Sequence, residues 1–106
     1  MAVEVHVTGR IELGRFGEFV SALGPWVAYR AAQGRAPMRV YQALSGQMNE
    51  VRMVFEYPDL AAYEAEELED AVDPEYGRLA SALPYVDGTL EYAIYAPVRQ
   101  QEQEQE

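Results

Sequence analysis

Cysteine and lysine are both missing from this 106-residue chain, and histidine and tryptophan occur once each. Without cysteine there is no disulfide, no thiolate metal site and no cysteine nucleophile, and nothing argues for secretion. One histidine leaves only carboxylates as further metal ligands, and no calcium-loop spacing is present, so no metal is expected. Haem is not expected either, because the one imidazole falls in a strand-like segment. The glycines form neither a dinucleotide fingerprint nor a phosphate loop. Ser21, Ser45 and Ser81 sit in no Ser-His-Asp arrangement, so the expectation is chemistry without a cofactor. No run approaches the roughly 20 apolar residues of a membrane span. Met1 to Thr8 alternates instead of offering the basic start and apolar run of a secretion signal, which points to the cytoplasm. Eight arginines against 18 acidic residues leave a net charge of -10. Such a surface repels phosphate backbones and anionic membranes, so neither is an expected partner.

What remains is a chain that is 49% hydrophobic, enough for one core. Val3, Val5 and Val7 alternate with Glu4, His6 and Thr8, the period of a strand running to Ile11. After Gly14 the period changes. Phe16, Phe19, Val20, Leu23, Val27 and Arg30 fall at helical spacing. Gly24-Pro25 predicts a kink or short break, with Trp26 to Gln33 as a second helical piece. Met38 to Leu44 and Glu50 to Tyr57 read as strands joined by the turn Ser45 to Asn49. Asp59 caps a helix from Leu60 to about Ala71, with Leu60, Tyr63, Leu68 and Ala71 inward and the acids around Glu66 in water. Asp73-Pro74 opens a short helix through Leu83. Thr89 to Ala96 is the last strand. One domain over residues 1–98 is therefore expected, followed by a Gln/Glu tail over 99–106 with too few apolar groups to fold.

The order strand, helix, strand, strand, helix, strand predicts an α+β, ferredoxin-like fold. Right-handed crossovers centre the first and third strands in an antiparallel sheet with the helices on one face. Alternation assigns Val3, Val5, Val7, Tyr41, Ala43, Val51, Met53 and Phe55 to the helix side. The opposite face receives Glu4, His6, Met38, Val40, Gln42, Leu44, Arg52, Val54, Glu56, Glu91, Ala93 and Tyr95. Covering the apolar members of that second face is worth several kcal/mol at ~25 cal/mol per Å². With no further helix to cover them, a two-fold homodimer, sheet to sheet, is the expected assembly.

Asn49-Glu50-Val51, Phe55-Glu56-Tyr57, Asp59-Leu60-Ala61 and Asp73-Pro74-Glu75 resemble the dimeric α/β-barrel superfamily, the NIPSNAP-like branch most closely. The match is good over residues 38 to 80 and extends beyond them by element order. Relatives in this superfamily include cofactor-free monooxygenases of antibiotic biosynthesis and polyketide cyclases, besides proteins without known activity. The resemblance implies a homodimer and a pocket between sheet and helices, and it does not select one reaction.

His6, on the mixed face, has Arg52, Glu56, Glu91 and Tyr95 as expected neighbours. A histidine held by a carboxylate can act as a general base near neutral pH, and an arginine can hold an enolate oxygen. His6, Arg52 and Glu56 are thus the catalytic candidates. Tyr95, Val54, Gln42, Trp26 and Glu91 are the candidate substrate contacts. The expected activity is a cofactor-independent monooxygenase, cyclase or isomerase acting on a small aromatic or polyketide-like molecule. A non-catalytic binding module and a purely structural dimer are the alternatives.

Overall fold

The computed structural model describes residues 1–98. The tail expected over 99–106 lies outside the described residues. The elements are β1 (Val3–Arg10), α1 (Phe16–Ala32), β2 (Met38–Gln42), β3 (Glu50–Tyr57), α2 (Leu60–Ala71), α3 (Pro74–Ser81) and β4 (Glu91–Tyr95). They form an α+β, ferredoxin-like fold whose antiparallel sheet runs β2-β3-β1-β4, with β1 and β3 central. In β1 and β3, Val5 faces Phe55 and Val7 faces Met53. Their helix-side rows meet Phe19 and Trp26 of α1 and Leu83 beyond α3 in one core. Asp59 caps α2 by accepting from the Ala62 backbone N–H at 2.8 Å. Asp73 caps α3, accepting from the Glu75 and Tyr76 N–H groups, with Pro74 where its missing N–H costs nothing. Gly9 is required where it stands. A Cβ there would lie 2.8 Å from the Tyr85 ring and 2.9 Å from Leu90.

Three expectations are corrected. The first concerns α1, which runs unbroken through Pro25. The lost hydrogen bond and ring clash cost roughly 3 kcal/mol. Phe19 before the proline and Trp26 and Arg30 after it are all buried, and this packing holds both halves together as one continuous helix in place of the expected break.

The second concerns β2. Met38 pairs with Phe55 and Val40 with Met53, so Met38, Val40 and Gln42 face the helices, while Arg39 and Tyr41 face outward. The segment Met-Arg-Val-Tyr-Gln-Ala-Leu has apolar residues at both parities, so alternation alone does not orient it. The hairpin register does. Leu44 lies beyond the strand end, and the outer face is more charged than expected.

The third concerns α2. Leu68 is 72% exposed, Leu60 is half exposed and Ala71 is exposed, whereas Glu66 is turned inward at 9% exposure. Arg30 is the cause. It is 2% exposed, and a buried cation without a counter-charge costs several kcal/mol. Pairing it outweighs the 1.5–3 kcal/mol or so that burying a leucine contributes.

Candidate functional site: a cleft between sheet and helices

The helix side of the sheet is not fully covered. Between β1, β3, β4 and the helices lies a cleft of about 200 Å³. Val5, Val7 and Met53 form its floor; Tyr63, Tyr85 and Tyr92 form its aromatic walls. Tyr63 stands edge-on to Tyr57, with ring centroids 5.3 Å apart.

One end of the cleft is polar. The Arg30 guanidinium lies over the Phe55 ring at 4.7 Å and near the Trp26 ring at 5.6 Å. Its Nη2 donates to the Ala36 carbonyl at 2.9 Å and to Glu66 at 3.3 Å. Glu66 also accepts from the Tyr57 hydroxyl at 2.5 Å and from the Ala36 N–H at 2.8 Å. Burial, and then the Glu66 charge it faces, push the Tyr57 hydroxyl well above the usual phenol range. Tyr57 is thereby fixed as a neutral donor. Two buried N–H groups at this end, Trp26 Nε1 and Arg30 Nε, have no hydrogen-bond partner among the described residues.

Glu67 and Asp70 of α2 also line the cleft. Burial raises the pKa of Glu67, and the Asp70 and Glu66 charges raise it further, against Arg30. Burial raises Asp70 too, opposed by its bond to Arg35 at 2.8 Å. Asp70 is therefore engaged, while Glu67 has no side-chain partner among the described residues.

The residues singled out in the sequence divide between the two faces of the sheet. On the outer face, Arg52 Nη1 donates to His6 Nδ1 at 2.9 Å. Because arginine only donates, Nδ1 is the acceptor and the proton sits on Nε2, which donates to Glu4 at 2.9 Å. Tyr95 packs edge-on to His6 with centroids 4.5 Å apart. Val54, directly across from His6, is 2% exposed. Glu56 pairs with Arg39, which also reaches Glu4, so Arg39 is a member of this network. Glu91 shares the face but stands opposite Thr8. Gln42 is on the helix side, beside Ile11 and Asn49. Trp26 is on the helix side as well, in the core wall of the cleft. His6, Arg52 and Tyr95 thus come together, and Gln42 and Trp26 are separated from them by the sheet.

Sequence reasoning missed Tyr57, Glu66, Glu67 and Tyr92. One signal was available: Arg30 completes the apolar stripe of α1, and an arginine in such a stripe demands a carboxylate from a facing helix. Tyr63, Glu66 and Asp70 lie at the spacing of one helical face.

No family model matches the sequence, and none of the curated proteins matches it. Solved structures do resemble the fold. An uncharacterized NIPSNAP domain protein from Burkholderia xenovorans is 26% identical, with a TM-score of 0.75 over 93% of this chain and 96% of that one. A NIPSNAP family protein from Agrobacterium tumefaciens gives a TM-score of 0.78 at 16% identity, covering 93% and 95%. SnoaB, a cofactor-independent oxygenase from Streptomyces nogalater, gives 0.69 at 18% identity, covering 92% and 94%. The chain has the ferredoxin-like fold of NIPSNAP-domain and antibiotic biosynthesis monooxygenase-like proteins.

Proposed function

We propose that this chain, which has the fold just described, is a cofactor-independent enzyme. It acts as a monooxygenase, cyclase or isomerase on a small aromatic or polyketide-like molecule held in the cleft between sheet and helices. One observation carries the reading: an apolar, tyrosine-walled cleft with an unengaged carboxylate of raised basicity, Glu67, at its mouth. A flat aromatic ligand gains burial against Val5, Val7 and Tyr92, while a base stronger than an ordinary carboxylate faces its edge. Proton loss to Glu67 leaves a phenolate or enolate, and its electron pair serves reprotonation elsewhere, ring closure onto an electrophilic carbon of the same molecule, or attack on dioxygen, giving a hydroperoxide whose O–O bond breaks with loss of water to leave a quinone carbonyl. The oxygenase branch draws on the likeness to SnoaB.

The assembly we propose is a homodimer closed through the outer face, where the exposed rings of Tyr41 and Tyr95 lie among charged neighbours. A second reading, favoured by the His6–Arg52 and His6–Glu4 hydrogen bonds, puts the chemistry on that outer face, with His6, Arg52 and Glu56 as the acting groups.

Oxygen uptake and product formation with a panel of naphthols and anthrones separate the two. Under the cleft reading Glu67→Gln lowers kcat/KM by about 100-fold, as removal of a general base does, and His6→Ala and Arg52→Ala leave turnover close to wild type. Unchanged turnover in Glu67→Gln, with loss in His6→Ala and Arg52→Ala, moves the chemistry to the outer face.

A further inference from the structure

We infer that the polar end of the cleft is an acceptor subsite, in which the indole N–H of Trp26 and the Nε–H of Arg30 receive the carbonyl or phenolic oxygen of an uncharged, flat aromatic ligand. This rests on the cleft being a ligand site, as proposed above.

The first ground is the pair of orphan donors. Trp26 is 3% exposed and Arg30 2%, and both side chains line the same cleft. Almost every buried N–H in a folded protein has an acceptor, and leaving one unmade costs about 1–3 kcal/mol. Two such groups in one cleft wall are a standing demand for oxygen lone pairs. Nη2 of Arg30 is already committed, to Ala36 and Glu66, while its buried Nε has no partner among the described residues. Burial pushes the Tyr76 hydroxyl up to about 12, with Arg30 and Trp26 opposing the shift, so it lies beside both donors, but at a geometry that closes a hydrogen bond with neither. A carbonyl oxygen carries two lone pairs and serves both donors at once.

Charge then selects the ligand class. Arg30 is neutralised by Glu66, and Glu67 and Asp70 add negative charge to the same walls. An anionic ligand meets repulsion that no free cation among the described residues lining the cleft offsets. A neutral ketone or phenol supplies the acceptor without that penalty. The aromatic walls and the volume of about 200 Å³ fit a compact fused-ring body. In this pose the oxygen is buried at the Trp26 end, and the ring system lies along the walls that Tyr63, Tyr92 and Glu67 share. The two N–H groups then face the atom on which charge grows when a proton is lost, the arrangement of an oxyanion hole.

The test compares three probes of similar size: methyl naphthyl ketone, isopropylnaphthalene and naphthoate. Binding is read by isothermal calorimetry and by the emission of Trp26, the only tryptophan of the chain. The ketone is expected to bind about tenfold or more tightly than the hydrocarbon, the scale set by pairing an otherwise unmet buried donor. Naphthoate is expected to be the weakest. In Trp26→Phe, followed by calorimetry, the ring remains and the N–H is gone, so the ketone loses most of its advantage while isopropylnaphthalene binds as before. Equal affinity of ketone and hydrocarbon for the wild-type protein would overturn the subsite and leave the cleft as an apolar binding site. A ketone advantage that survives intact in Trp26→Phe would also overturn it. Failure of all three probes to bind would remove the cleft reading together with the subsite. The wild-type comparison needs no variant, so a poorly folding Trp26→Phe does not blunt it.

Discussion

Arg30 and Glu66 come from different helices and meet in the wall of the cleft, both nearly out of contact with water. A pair of this kind contributes little net stability over an apolar pair, but breaking it strands a charge. Glu66→Leu is expected to destabilise the fold by about 3–5 kcal/mol in urea unfolding, and Arg30→Met by a similar amount. The double variant should recover most of that loss, and strictly additive losses would show that the two side chains act independently. Arg30 was legible in the sequence as the last member of an otherwise apolar stripe. Glu66 was not, because it sits among Glu64, Glu67, Glu69 and Asp70, and carboxylates belong in water unless a partner draws them in. Nothing local distinguishes the one acid that turns inward, since the reason lies on another helix 36 residues away in sequence.

Among the elements, α1 and α3 are tied by the Tyr29 hydroxyl, which donates to Asp73 at 2.6 Å. That bond is the main reason the Asp73 carboxyl titrates below its usual 3.8, with burial opposing it and the Tyr76 and Glu75 N–H groups and Arg35 assisting. A carboxyl depressed in the folded state stabilises the protein above its unfolded pKa, and the contribution fades as pH falls through the folded value. Asp73→Asn keeps an N-capping side chain and removes the charge. It should melt several degrees below wild type at pH 7, and the gap should close as the pH drops below 3.8, as followed by circular dichroism. A gap of constant width would mean that the charge is not what counts. At this scale the sequence was largely readable. Period two, helical spacing, the Asp59 and Asp73 caps and the crossover rule gave the strand order and both later helices. Two features escaped. The parity of β2 depends on a hairpin register that its evenly apolar sequence leaves open, and the continuity of α1 depends on buried contacts on either side of Pro25.

At the scale of the whole molecule, the outer sheet face carries the proposed pairing. Sedimentation at micromolar concentration is expected to give twice the 11.9 kDa of one chain. Ala93, directly across from His6 at the middle of that face, is the place to block it. Ala93→Arg sets a cation against Arg52 and its copy and should sediment as a single chain with an unchanged circular dichroism spectrum. A wild-type protein that sediments as one chain would withdraw the interface. Pairing through that face leaves the other side of β4 untouched. β4 is an edge strand whose helix-side residues Tyr92 and Ile94 are 63% and 48% exposed, and Leu90, just before it, is 43% exposed. An open edge with such a row is a template for chain-to-chain ribbon growth, and what opposes it in neutral solution is the mutual repulsion of molecules bearing ten surplus negative charges each. That colloidal barrier vanishes near pH 4.4. Turbidity is therefore expected to rise sharply as a neutral stock is acidified toward that pH, and a charged residue in place of Tyr92 should keep it clear.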